Sequence, residues 1–253
     1  MHQLAGVFCV LAGLFAGTVC AGEQPAPLLE RSPQPTSDPL GLRLVRLCRE
    51  HVLQPMAEHI RQEMQRQYSP RHLERLLAAG DVETRRAAAL GIGLIGDTYS
   101  QVAVANAMHD PDPEVIRRAE TASWQVWIRM GTPEQQTRLT RVQELIRAQE
   151  LHDAISQVSL LIQTSPEYAE AWNQRALTYY QMQRYRDAIP DCHRALELNP
   201  LHFGASSGLA QCHMRLNEFP QALDAFQLTA KLHPTMPGLQ EQISVLQKLV
   251  QTR

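Results

Sequence analysis

Two Cys-His dipeptides, Cys192-His193 and Cys212-His213, stand twenty residues apart and are the residues whose types could do chemistry. A thiolate and an imidazole together could ligate zinc, or act as nucleophile and base. Zinc would need about four ligands converging in a tetrahedron. No Cys-x-x-Cys lies near either pair, and the remaining histidines are dispersed along the chain. Other catalytic signatures are also missing: there is no phosphate-binding glycine loop and no His-Glu-x-x-His. The run GIGLIGD from Gly91 to Asp97 has the glycines of a dinucleotide loop but no strand before it. The chain is therefore expected to have no catalytic residue, no metal and no cofactor.

The elements that carry these cysteines repeat. Pro166, Pro200 and Pro234 are spaced by 34 residues, as are Ala154, Ala188 and Ala222, and the bulky Leu151, Tyr185 and Phe219. A small, a bulky and a terminal proline residue in fixed phase at that period predict a helix–turn–helix unit repeated three times. Apolar residues recur at three- and four-residue spacing from about residue 40 onward, with no sustained alternation, so an all-α chain is expected.

The unit AEAWNQRALTYYQMQRYRDAIPDCHRALELNP resembles the tetratricopeptide repeat family, with Trp172, Ala176, Tyr179, Ala188, Ala195 and Pro200 at its pattern positions. Leu209, Ala210, Ala222, Phe226 and Pro234 carry the same pattern in the next unit. The resemblance implies units at 135–168, 169–202 and 203–236, with 237–253 as a closing helix whose Leu239, Ile243, Leu246 and Val250 form one apolar stripe. In that frame the two Cys-His pairs occupy different positions of their units, so their echo is accidental. Cys192 falls where a buried apolar side chain is usual, and free cysteine suits such a place. If the two thiols face each other across the unit boundary, a disulfide staple is the alternative. Pro190 and Pro220 lie early enough in their helices to cost one hydrogen bond at most.

The family resemblance further implies that ligands lie in a concave groove lined by the first helix of each unit. Carried over by frame, the first unit supplies Leu139, Gln143 and Arg147, together with Gln136 and Ile146. The second supplies Glu170, Asn173, Leu177, Tyr180 and Gln181, and the third Gly204, Ser207, Gln211, Met214 and Arg215. Such a mixture suits an extended peptide or a helix. The family's clamp for a terminal carboxylate needs Lys, Asn and Arg at set positions. Here Leu139, Gln143, Gln174, Gly204 and Gly208 stand there, so no clamp is expected.

Before these units, residues 40–131 contain a second, shorter echo. DVETRRAAALGIGLIGD and DPEVIRRAETASWQVW begin with aspartates 31 residues apart, and Arg86 and Arg117 keep that offset. Paired small-residue helices of this kind resemble HEAT-like repeats. Aspartate caps the free N–H groups at a helix start, and alanine and glycine allow close helix approach. Leu42, Val45, Cys48 and Val52, with a kink at Pro55, are expected to supply an apolar face in front of them.

The apolar run Leu4 to Val19 reads as a secretory signal ending at Val19-Cys20-Ala21, residues 1–21, followed by a proline-rich linker at 22–39. Retention of that run as a short membrane anchor is the alternative. Cleavage would leave Cys48, Cys192 and Cys212, an odd and widely spaced set that is no disulfide framework. Hydrophobic residues make up 44% of the chain, enough for a folded core, and the net charge of −2 with interspersed arginines offers no basic stripe for nucleic acid. The expected protein is an exported, periplasmic or extracellular all-α solenoid that binds a protein or peptide. An accessory subunit of an envelope enzyme and a thiol- or metal-responsive protein using Cys192 and Cys212 are the alternatives.

Overall fold

Thirteen helices and no strand make up the described residues, 39–51 and 57–251, of the computed structural model. The signal segment, the linker, Val52 and Pro55 lie outside them. The architecture is an all-α repeat superhelix.

The front part comprises α1 (Pro39–His51), α2 (Ala57–Gln67), α3 (Pro70–Ala79), α4 (Val82–Ile95), α5 (Ser100–Ala107) and α6 (Pro113–Arg129). Asp81 and Asp112 cap α4 and α6 as expected, their carboxylates accepting from Thr84 N at 2.8 Å and Val115 N at 3.0 Å. Small residues let α4 sit close to its neighbours. A Cβ at Gly93 would lie 3.5 Å from the Ala122 backbone, an ordinary contact, and 2.5 Å from Gln125 Oε1, the end of a flexible side chain that would have to turn aside. GIGLIGD is thus packing within α4 and its C-terminal cap. The face that α1 turns to the core differs from expectation. Leu44, Leu47 and Cys48 are buried, whereas Leu42 is 47% exposed, because the helix presents the stripe at 44, 47 and 48 to α4.

Three helix pairs follow: α7 (Pro133–Arg147) with α8 (Leu151–Thr164), α9 (Ala169–Gln181) with α10 (Tyr185–Leu198), and α11 (Phe203–Arg215) with α12 (Phe219–Leu232). The second helices start at Leu151, Tyr185 and Phe219, the bulky residues of the 34-residue period. Ala154, Ala188 and Ala222 are fully buried where the paired helices touch, so a larger side chain at any of them would force the pair apart. Each turn within a pair is closed the same way. Gln149, Gln183 and Asn217 adopt positive φ, and the next residue's N–H reaches back to a carbonyl five positions earlier: Glu150 to Leu145, Arg184 to Tyr179 and Glu218 to His213. This is a Schellman closure, and it satisfies carbonyls that the helix end would orphan. Helix α13 (Leu239–Gln251) covers the last pair with Leu239, Ile243 and Leu246 buried. No helix among the described residues is long and apolar enough to cross a membrane.

Candidate functional site

The first helices α7, α9 and α11 line the concave face, and α6 lies across it. Three contacts hold α6 there. Tyr168 Oη donates to Ile128 O at 2.7 Å. Trp127 stacks on His202 with ring centroids 4.1 Å apart, and Trp124 meets His202 and Phe203 edge to face at 5.5 and 5.3 Å. A Cβ on Gly204 would come within 2.3 Å of the Trp124 ring, so glycine is what lets the indole lie flat against α11. Phe203 accordingly belongs to the front core, with Leu232 and Met236 packed beside it.

His202 is fixed by two bonds. Its Nδ1 accepts from Ala205 N at 3.1 Å, which leaves the ring proton on Nε2, 2.9 Å from Glu170 Oε2. The other Glu170 oxygen accepts from Asn173 at 3.2 Å and Gln174 at 2.7 Å. Glu170 is 1% and His202 0% exposed, so the carboxylate replaces its water shell with three donors of its own chain. A further buried pair, Arg175 with Asp191, is bidentate at 2.7 and 2.8 Å. Burial pushes the Asp191 carboxyl above its ordinary range although Arg175 draws it down.

Between α6 and the groove helices remains a cavity of about 130 Å³. Trp124 and Ile128 wall it on one side; Ile146, Ala176 and Leu177 form much of the other; Cys192 and Cys212 complete it beside Gly204 and Gly208. Gln125, Gln143, Arg147, Asn173 and Gln174 contribute its polar groups, and Glu170 lies in the wall.

The residues expected at the groove divide. Leu139 is fully buried in the first unit's own core with Val142 and Ile146, and is closed to any ligand because it packs inward. Ser207 at 2% and Gln211 at 7% are buried because α6 and the neighbouring helices cover α11. Asn173 is buried in the hydrogen-bond set of Glu170. Gln143, Leu177, Tyr180, Gln181 and Met214 are half-buried, while Arg147 and Arg215 are exposed. Arg215 donates to Tyr180 Oη at 3.2 Å, so those two form one rim unit. Trp124, Gln125, Ile128 and His202 escaped the sequence reading of the site, whereas Glu170 was expected there and lies in the cavity wall. The small-residue run FGASSGLAQC, where the preceding unit has Trp172, was the available sign that something packs onto α11.

The two thiols lie side by side, but the histidines do not join them. Cys192 and Cys212 are free and buried, His193 is exposed, and His213 bonds Glu218 at 2.7 Å. No group of three or more potential metal ligands occurs among the described residues. Cys212 and burial push the Cys192 thiol well above its usual range, the state of a packed thiol and not of a nucleophile.

Residues 169–201 match the tetratricopeptide repeat family, so the α9–α10 unit is such a repeat. A TPR repeat-containing protein of Rhizobium etli is 34% identical over 85 residues, which are 34% of this chain and 42% of that relative's length. Among solved structures, the first TPR of Spaghetti (RPAP3) bound to an HSP90 peptide overlays with TM-score 0.46 at 15% identity, covering 47% of this chain and 95% of that one. The TPR2B domain of yeast Sti1 in complex with an Hsp70 peptide gives 0.43 at 20% identity, covering 48% and 100%. A MamA mutant gives 0.42 at 17%, covering 66% and 88%.

Proposed function

We propose that this protein is an exported, non-enzymatic adaptor that holds a peptide or helical segment of another protein against the uncovered part of its concave face. The observation that carries this is the row of accessible groups along the ends of α7, α9 and α11: Arg147 at one end, Leu177, Tyr180 and Gln181 in the middle, Met214 and Arg215 at the other. An apolar floor with amide and guanidinium edges can take both side chains and main chain of an extended segment. The front helices, read as HEAT-like pairs, serve as the fourth wall of this groove.

The test is crosslinking capture from the native envelope fraction with the wild type and with a Tyr180→Ala, Arg215→Glu variant of unchanged helicity. A partner captured by the wild type and lost in the variant is the expected result. Equal capture moves recognition to the front helices or the convex face. The thiol-responsive alternative predicts that alkylation or chelation alters capture, whereas buried, unreactive thiols predict no change.

A further inference from the structure

The geometry points to a specificity pocket: the cavity between α6, α7, α9 and α11 takes a single uncharged apolar side chain of the bound segment, of leucine size. This rests on the adaptor reading and adds the partner's anchor residue to it. Size is the first support. An apolar cavity of about 150 Å³ accommodates one benzene; this one, of about 130 Å³, has room for one isobutyl or smaller aromatic group and no more. Wall chemistry is the second. Ile128, Ile146 and Leu177 are aliphatic, Trp124 offers an aromatic face, and both cysteines are uncharged thiols.

Charge complementarity is the third support and selects against alternatives. The wall's carboxylate, Glu170, already has both oxygens taken by His202, Asn173 and Gln174, so an incoming ammonium would find no free acceptor there. A cationic anchor would lose its hydration without replacement. Main-chain amides flanking the anchor have partners outside the apolar walls. The Gln143 side chain makes no hydrogen bond among the described residues, and the Asn173 carbonyl oxygen is available as an acceptor. Those amides favour a peptide as the source of the apolar group over a free hydrocarbon, which would leave them unused.

The experiment titrates the full chain with acetyl-Gly-X-Gly-amide, X being Leu, Ala or Lys, and separately with toluene, while reading the Trp124 indole N–H by nitrogen-edited NMR. The Leu peptide is expected to move that resonance with an affinity about tenfold or more above the Ala and Lys peptides. Thr121→Phe, which fills the cavity from α6, is expected to abolish the difference. Ile146→Ala, which enlarges it, is expected to shift preference from Leu to a Phe peptide, and this second variant answers the case in which the first does not fold. Equal affinity for Leu and Ala overturns the anchor while leaving groove binding intact. A response to toluene and to none of the peptides overturns the peptide source. No response of the indole to any probe overturns the pocket outright, and the Tyr180 and Arg215 capture experiment then decides the adaptor reading separately.

Discussion

The front helices and the repeat units are both packed layers of helices, but different forces set their register. In the front part, arginines stitch one helix to the next. Arg85 forks onto Asp110 at 2.7 and 3.0 Å, and Arg86 onto Asp112 at 2.9 and 2.6 Å, the latter being the residue that caps α6. Arg118 of α6 reaches back to the Arg86 carbonyl, and Arg129 donates to three carbonyls at the end of α4. The repeat units rest mainly on volume, with fully buried alanines at the 34-residue interval and apolar partners around them, and carry fewer such links, Arg175 with Asp191 and His202 with Glu170. Charge networks tolerate loss of a member less evenly than a packed stripe does, since removing one ion strands its partner. Where the two parts meet, neither rule applies, and aromatic rings do the joining.

The largest effect is expected at that junction. Gly204→Val puts atoms inside the van der Waals envelope of Trp124, whose nearest ring carbon would stand 2.3 Å from the new Cβ. Either the indole must turn into the neighbouring cavity or α6 must lift from α11. A loss of about 3 kcal/mol is expected, with tryptophan emission moving to the red. Combining it with Trp124→Ala should recover much of that loss; strictly additive effects in the double-mutant cycle would show that the contact is not the cause.

Next comes the arginine fork. Burial, with Arg61 nearby, lowers the Arg129 guanidinium to about 10, a sign of how little water it keeps. Arg129→Met deprives the Ile92, Gly93 and Gly96 carbonyls of their donor. About 2 kcal/mol or more should be lost in urea unfolding. Arg129→Lys should lose nearly as much, because one ammonium cannot span three acceptors. Retention of full stability by the lysine variant would reduce the interaction to charge alone.

A smaller, pH-dependent effect separates the two regions. The hydrogen bonds from Arg86 hold the Asp112 carboxyl below its ordinary range. Its folded value thus lies under the unfolded one of about 3.9, so this stabilisation is complete above that pH and is lost as pH falls through the folded value. Denaturation at pH 6 and pH 3 should show a loss of about 1 kcal/mol that Asp112→Asn no longer shows. Hydrogen exchange should place the change in α4 and α6 and leave α7 to α13 unaffected.

The sequence carried the helical period of the repeat half. Prolines, alanines and bulky residues at fixed phase put the starts of α8, α10 and α12 where they are, because those contacts are local and recur. It also showed that the Cys-His echo was out of phase with the repeat. The closed groove was much less legible, since α6 reaches α11 across about eighty residues of chain, and long-range docking leaves only indirect marks. Those marks were Trp124 and Trp127 one helical turn apart and a run of small residues in FGASSG, two halves of one contact. Leu139 was misplaced because the family frame assigns a helix face by register, and that frame position, held by Leu139, Asn173 and Ser207, is buried in all three units.

The smallest expected effect sharpens the comparison by adding stability to the repeat half alone. Gln149, Gln183 and Asn217 sit at φ of 62°, 60° and 58°, a left-handed conformation that costs an ordinary L-residue roughly 1–2 kcal/mol. Glycine is the usual residue at this point of a Schellman closure, but it gives back part of the gain because its unfolded chain is freer. Gln183→Gly should therefore raise stability by roughly 0.5 kcal/mol, and Gln149→Gly by a similar amount. Asn217→Gly should gain less, because asparagine already tolerates this conformation. The three gains should appear as shifts in urea midpoint without a change in slope. If all three are equal, backbone strain is not what distinguishes these turns, and their side chains must be contributing to the fold.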